Sequence, residues 1–390
     1  MNILFVTMFQ ISEQKGGTER TTARISNELR CRGHRCFNLY AKPIGDMFEM
    51  TKFDGVYKDC SANAIKNIIE TQKIDKIIIE GAFILVKNVS EGRLKASYKP
   101  KILFVHHFAP GYEPYFNAFS SIWKQMLYAQ STANRMKAFV KVLIYPLFKP
   151  YMDASFHKLY KTAYSLCDKM VLLSPEYVDD YCKFGDINDK TKFVSIPNAV
   201  SFDEFIPIDE LGNKQKTVLI VTRLDEVQKR ISLAIKIWKR IEEDADLKDW
   251  NFKIVGFGES EHEYRRLISQ WSLKRIFLEG RQNPIRYYKE SSLFMMTSLF
   301  EGWPMTLNES LQFGCVPFVY DTCASFHEII NNGENGFLIT DKNEEEFYHK
   351  MREVMLDENR RMELMKAAVE SSTRFTLDKI VTRWEKVLSE

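Results

Sequence analysis

Ser298-Leu299-Phe300-Glu301-Gly302-Trp303-Pro304-Met305-Thr306-Leu307-Asn308-Glu309-Ser310-Leu311-Gln312-Phe313-Gly314 is the stretch that decides how this 390-residue sequence is read. It follows the apolar run Leu293–Met296, which reads as a strand. Pro304 suits the first position of a helix, and Gly314 closes that helix. A strand feeding a helix through a Gly- and Pro-marked loop places a helix N-terminus at a strand's carboxyl end. Such a terminus presents unpaired N–H groups and partial positive charge to an anion or to sugar oxygens. Glu301 lies in the loop and Glu309 eight residues on, among Leu307, Leu311 and Phe313. A carboxylate in apolar company needs donors, and a pair of ribose hydroxyls supplies two.

Outward from this block, short β-branched runs alternate with amphipathic stretches, the pattern of βα units and a parallel sheet. Strands are expected at 217–222, 252–255, 276–278, 293–296, 316–320 and 336–339. An earlier series falls at 3–7, 35–40, 76–80, 101–105, 169–173 and 193–196. Helices read between them, including 19–32, with Thr18 as its N-cap, and 229–243. The chain divides into residues 1–200, a polar linker at 201–216 that lacks periodicity, residues 217–375, and a lone amphipathic helix at 376–390. That helix is expected to pack back on the first domain. The fold class is α/β: two Rossmann-like domains with a cleft between them.

Open parallel sheets bind ligands at the carboxyl ends of their strands. Arg223 follows the strand at 217–222, and Lys229 and Arg230 open the next helix, where the helix dipole disfavours cations. A pyrophosphate would compensate them. In the first half, Gly16-Gly17-Thr18-Glu19 precedes a helix, and paired glycines let a backbone approach a ligand closely. His106-His107 ends the strand at 101–105, from where an imidazole reaches a sugar hydroxyl; packing in the core is the competing reading.

Together these pieces, with Ile196-Pro197-Asn198-Ala199-Val200 and Ile254-Val255-Gly256-Phe257-Gly258, resemble glycosyltransferase family 4, the retaining GT-B enzymes with an E-x7-E motif. The resemblance covers nearly the whole chain. It implies that Glu309 binds the ribose hydroxyls and that Glu301 contacts the donor sugar, beside Gly302 and the backbone N–H groups of Trp303, Pro304's successors Met305 and Thr306, and Leu307. Pro304 shapes that turn. It implies that Arg223 and Lys229 clamp the diphosphate and that Gly17 is a backbone contact from the first domain. His106, with His107 as a weaker substitute, is implied to stand near the donor sugar's reactive face. Lys229 falls one residue further from Arg223 than in many members, and Trp303 stands where a smaller aromatic or Phe is usual. The implied reaction moves a hexose or N-acetylhexosamine from a UDP- or GDP-linked donor to a glycan or lipid-linked oligosaccharide, in surface polysaccharide biosynthesis. No metal and no cofactor are expected.

Other readings fit less well. A glycosidase needs a proton for its leaving oxygen, whereas a departing diphosphate needs positive charge, which Arg223 and Lys229 supply. The Gly256-x-Gly258 pair lacks the third glycine of a dinucleotide site and has Glu261 there. Asp244-Ala245-Asp246 is a D-x-D at a helix end, better explained as a solvated terminus than as a metal motif. A non-catalytic nucleotide-binding subunit would have lost the charged constellation, and a nucleotide-sugar epimerase on the same fold is the nearest enzymatic alternative.

Composition is that of a globular protein, with 45% hydrophobic and 27% charged residues. Seven cysteines without a C-x-x-C pair speak for a reducing compartment, and a cytoplasmic place at the inner face of the membrane is expected. Met1–Phe9 reads as a strand, not as a signal peptide. Net charge is +3, yet residues 1–200 hold 28 Lys and Arg against 19 Asp and Glu, and the remainder 27 against 33. The stretch from Trp123 to Leu159 mixes Lys124, Arg135, Lys137, Lys141 and Lys149 with aromatic and aliphatic residues. It suits peripheral contact of the first domain with an anionic bilayer, or equally a pair of packed helices with snorkelling lysines. No nucleic acid partner is expected.

Overall fold

The computed structural model describes residues 1–14, 16–44, 49–113, 122–123, 126 and 131–390. The chain forms two compact units: residues 1–114, 149–201 and 375–390 make the first, and 115–148 with 202–374 the second.

The first unit is built on β1 (Asn2–Phe9), β2 (Arg35–Lys42), β3 (Gly55–Tyr57), β4 (Lys76–Glu80), β5 (Lys101–His106), β6 (Lys169–Leu172) and β7 (Phe193–Ser195). They lie in the order β3-β2-β1-β4-β5-β6-β7, and each described pairing is parallel. The runs Ile3–Val6, Ile77–Ile79 and Ile102–Val105 are apolar without alternation and buried, as strands covered on both faces must be. Helices α1 (Gly17–Cys31), α2 (Ala62–Gln72), α3 (Val86–Lys95), α4 (Thr132–Leu166) and α5 (Tyr177–Gly185) connect them; the part of α4 before Lys149 groups with the second unit. Sequence reading misses β3, a three-residue edge strand.

The N-cap of α1 is Gly16, in extended conformation, and not Thr18. Thr18 lies in the first turn, and its carbonyl accepts the Thr22 hydroxyl at 2.9 Å. Two glycines let the chain enter the helix with no capping side chain. Helix α4 runs 35 residues through Pro146 and Pro150, although Lys141 and Pro146 read in the sequence as interruptions of an apolar run.

The second unit contains β8 (Gln215–Val221), β9 (Asn251–Val255), β10 (Ile276–Gly280), β11 (Ser291–Met296), β12 (Val316–Tyr320) and β13 (Phe337–Ile339), ordered β10-β9-β8-β11-β12-β13 and parallel. Its helices are α6 (Glu226–Lys229), α7 (Ile231–Glu243), α8 (Glu261–Gln270), α9 (Pro284–Glu290), α10 (Met305–Gln312), α11 (Ala324–Ile329), α12 (Glu344–Leu356) and α13 (Glu358–Ser372). Within the stretch read as the linker, Ile208–Asn213 forms a 3-10 helix, and β8 starts at Gln215. Two expectations are corrected. The single helix expected over 229–243 is two, broken at Arg230 in the left-handed region (φ 49°). Pro304 is the N-cap of α10 and not its first residue; Gly314, at φ +65°, follows the helix as a left-handed stop.

The last helix, α14 (Leu377–Ser389), returns to the first unit and lies along α1. Arg32, just past α1, reaches Asp378 and Glu385 at 2.7 Å each, and His34 meets Glu385 at 3.1 Å. Ile380, Val381, Trp384 and Leu388 form the buried face of α14.

Candidate donor site

In both sheets the strand order reverses at one place, between β1 and β4 in the first unit and between β8 and β11 in the second. Chains leaving the carboxyl ends of two such strands diverge to opposite faces, which opens a crevice for a ligand.

In the second unit, the loop after β8 is shaped by Asp225. Its Oδ1 accepts the N–H groups of Val227 and Gln228 and so starts α6. Its Oδ2 accepts Arg223 Nη2 at 3.1 Å, and Gln228 Oε1 accepts the same nitrogen at 3.0 Å. Arg223 is thereby aimed while its side chain stays 60% exposed, a poised cation on a fixed stem.

The neighbouring loop after β9 explains Gly256 and Gly258. A Cβ on Gly256 would stand 1.7 Å from Thr222 O, and one on Gly258 2.4 Å from Leu224 O. Leu224 N–H in turn donates to Phe257 O at 3.0 Å. The two glycines exist so that one loop can lie against the other, which accounts for a Gly-x-Gly with no third glycine.

Lys229 ends α6, and the left-handed turn at Arg230 redirects the chain into α7. The loop after β11 is stapled to that corner. Thr297 Oγ1 donates to the carbonyls of Lys229 and Arg230, Leu299 N–H donates to Gln228 O at 2.7 Å, and Gln228 Nε2 donates to Phe300 O at 3.1 Å. The buried Arg230 guanidinium donates to the carbonyls of Thr297 and Ser298 and pairs with Asp341 at 2.8 Å. The outcome is a defined meeting of Lys229 Nζ with Glu301 Oε1 at 2.6 Å, both side chains mostly buried. Glu301 N–H donates to Cys323 Sγ at 3.0 Å.

Gly302 and Pro304 then turn the chain into α10. The ring of Trp303 is buried, and Met305, Thr306 and Leu307 form the first turn, the positive end of the helix dipole. Glu309 is only 2% exposed, and Tyr288 donates its hydroxyl to Glu309 Oε2 at 2.8 Å. Of the expected site residues, Arg223, Lys229, Glu301 to Leu307 and Glu309 thus all belong to loops and helix starts at the carboxyl edge of one sheet.

Gly17 and His106 belong to the first unit. Gly17 is the first residue of α1, and His106 ends β5. The imidazole of His106 is 1% exposed, with Nε2 3.2 Å from the Tyr160 hydroxyl and 3.3 Å from Glu113 Oε1. Burial, and then His107, push its pKa down to about 3, so it is neutral. Burial raises the pKa of Glu113, to which Tyr160 donates at 2.7 Å. His107 pairs through Nε2 with Glu80 Oε2 at 2.6 Å, both buried. Sequence reading does not single out Glu80, Glu113 or Tyr160. Glu80 is findable, as an acid ending an otherwise apolar strand.

The D-x-D acids are occupied. Asp244 accepts Arg352 Nε and the Tyr348 hydroxyl at 2.7 Å each, and Asp246 takes Arg352 Nη2. Among the described residues no three His, Cys, Asp or Glu side chains cluster as a metal site.

Residues 201–371 match the family of glycosyl transferases group 1. Among curated sequences, the chain is 25% identical over 249 residues to the amylovoran biosynthesis glycosyltransferase AmsD of Erwinia amylovora, covering 61% of this chain and 66% of that one. It is 24% identical over 232 residues to an α-1,4-N-acetyl-D-galactosaminyltransferase of Campylobacter jejuni named for an undecaprenol-linked substrate, covering 60% and 63%. The matches thus span a little under two thirds of these relatives' lengths. Among solved structures, Anabaena Alr3699/HepE in complex with UDP superposes with a TM-score of 0.71 at 15% identity, all of both chains covered. The lipopolysaccharide outer core galactosyltransferase WaaB gives 0.70 at 15%, over 100% of this chain and 99% of that one. The family match, the sequence relatives and the likeness of fold agree: residues 201–371 are similar to the glycosyl transferases group 1 family, in a chain whose two parallel-sheet units have the GT-B fold.

Proposed function

We propose that this chain transfers a hexose or N-acetylhexosamine from a nucleoside diphosphate to a hydroxyl of a glycan or lipid-linked oligosaccharide, with retention of anomeric configuration, in polysaccharide biosynthesis at the inner face of a membrane. The observation that carries the reading is the stapled Lys229–Glu301 pair at 2.6 Å, flanked by the exposed Arg223 and by the start of α10. When the bond between the anomeric carbon and the phosphate oxygen breaks, negative charge gathers on the diphosphate. Lys229 and Arg223 are cations already in place to receive it, and charge preorganised in this way does more than any other single effect to speed many enzymatic reactions. The acceptor oxygen forms the new bond to the anomeric carbon from the face the phosphate leaves, and its proton passes to the departing phosphate.

Glu309 takes the two ribose hydroxyls, with Tyr288 holding the carboxylate in one orientation. Glu301 and the backbone N–H groups of Trp303, Met305 and Thr306 bind the donor sugar, while Leu307 N–H holds the turn by donating to Pro304 O at 3.0 Å. Gly17 and His106 are assigned to the sugar-binding edge of the first unit, His106 through Nδ1, which has no partner among the described residues. The reaction as written uses no metal and no cofactor. Solved neighbours in complex with UDP make uridine diphosphate the first nucleotide to test.

A thermal-shift series with UDP, GDP and ADP tests donor binding; a ligand at 100 times its Kd stabilises by about 2.7 kcal/mol. Sugar transfer to an acceptor is then followed for wild type, Glu301→Gln and Lys229→Ala. Both variants are expected to keep the fold and to lose at least about 100-fold in turnover. Near-normal turnover in both would remove the assignment. Sugar interconversion without an acceptor would instead establish an epimerase.

A further inference from the structure

We propose that Glu113 is a positioning residue for sugar transfer: through Tyr160 it holds His106 in the one tautomer whose Nδ1 accepts a sugar hydroxyl. The role rests on the reading of His106 as part of the sugar-binding edge, and names what sets that imidazole's proton. All four groups involved, Gly111 included, belong to the first unit. Tyr160 lies on α4 and is fully buried. Its hydroxyl oxygen stands 2.7 Å from both Glu113 oxygens, accepts the Gly111 N–H at 3.0 Å and meets His106 Nε2 at 3.2 Å.

Protons and lone pairs around that oxygen allow one arrangement. A carboxylate only accepts, so the single hydroxyl proton of Tyr160 goes to Glu113. Gly111 N–H fills one of the two lone pairs on the oxygen. Toward Nε2 the oxygen is then an acceptor, and Nε2 must carry hydrogen. The other neighbour of Nε2, Glu113 Oε1 at 3.3 Å, is an acceptor too and requires the same. Burial keeps His106 neutral, and a neutral imidazole has one N–H, so Nδ1 is left with its lone pair. The rings of Phe83, Tyr160 and Tyr181 stand 5.7, 5.3 and 5.4 Å from the imidazole, each steeply inclined to it, and hold it in place. Nδ1 is buried and has no partner among the described residues. A buried acceptor without a donor calls for one, and a sugar hydroxyl supplies it.

Nitrogen-15 NMR of the full chain with labelled histidine reads each imidazole's tautomer with no substrate present, and His106→Gln assigns the signal. Wild type is expected to show His106 as the Nε2–H form alone. In Glu113→Gln the new carboxamide nitrogen donates to Tyr160 and fills the second lone pair, so the imidazole proton shifts to Nδ1 in at least part of the molecules. His107 is the internal control: Glu80 Oε2 meets its Nε2 at 2.6 Å, and its signal stays unchanged. Tyr160→Phe leaves Glu113 Oε1 facing Nε2, and the wild-type tautomer persists. In the transfer assay Glu113→Gln is expected to lower kcat about tenfold, with nucleotide affinity unchanged by calorimetry. A wild-type Nδ1–H form, or a Glu113→Gln signal identical to wild type, would overturn the proposal. So would a shifted proton with kcat unchanged, or a proton that Tyr160→Phe displaces and Glu113→Gln does not. If wild type transfers no sugar, the transferase reading fails and takes this role with it; the tautomers, measured without substrate, tell the two failures apart.

Discussion

Lys229 and Glu301 are 72 residues apart in sequence, and each is ordinary where it stands. Their chemistry comes from a lattice of neutral hydrogen bonds around them: Thr297 to two carbonyls, Gln228 to Phe300, Leu299 to Gln228. Sequence reading reaches the charged residues through strand-end position and Gly/Pro punctuation. It does not reach this support, because Thr and Gln in a loop carry no pattern that distinguishes a staple from a solvated side chain. Glu309 is readable as buried from its apolar neighbours, whereas its partner Tyr288 is not. Tyr288→Phe removes a hydroxyl donor to that buried carboxylate, a bond to a charged group worth about 1.5–3 kcal/mol. The melting temperature of the free protein is expected to fall, and calorimetric titration to show nucleotide affinity lowered at least about tenfold. His106 gives a test by pH. Its pKa is depressed in the fold, from 6.5 to about 3, so its contribution to stability is present above pH 6.5 and is lost as pH falls from there toward 3. Glu113, raised by burial, acts with the opposite sign in the same range. The difference between wild type and His106→Gln therefore isolates the imidazole: melting temperatures measured from pH 7 to 4 should fall more steeply for wild type.

At the level of elements, strands are legible because both-face burial makes them plain apolar runs. Most boundaries lie within two residues of those read from sequence. Helix ends are less so. Thr18 and Pro304 both have preferred positions at helix starts, yet backbone geometry places the caps at Gly16 and at Pro304 itself. The break at Arg230 is invisible in sequence, since a left-handed arginine has no signature; it is held there by what its guanidinium binds. Arg230→Met would leave the carbonyls of Thr297 and Ser298 and the Asp341 carboxylate short of a donor. It is expected to cost about 3 kcal/mol by chemical denaturation and to reduce turnover, because the corner it fixes carries Lys229. The close crossing of loops at Gly256 is a second such joint. With a Cβ aimed 1.7 Å from Thr222 O, Gly256→Ala must displace the loop that bears Arg223. A loss of about 3 kcal/mol is expected, visible as a lowered melting temperature.

For the molecule as a whole, alternation of βα units makes the two-sheet architecture readable, and the family resemblance drawn from a few short motifs agrees with the match over 201–371. Strand order within each sheet is beyond periodicity, since parallel strands carry no turn signal that fixes their neighbours. The return of α14 to the first unit is testable directly. Trp384 is buried on its inner face, and Trp384→Ala is expected to cost about 3–5 kcal/mol. Hydrogen exchange should then rise in α1 and α14 while the strands β8 to β12 keep their protection. The same connection inverts the order in which the protein is made and finished. Residues 202–374 complete the second unit while the first, though synthesised earlier, still lacks the helix that covers α1. A nascent chain therefore carries its older half unfinished until α14 has followed residues 202–374 out of the ribosome.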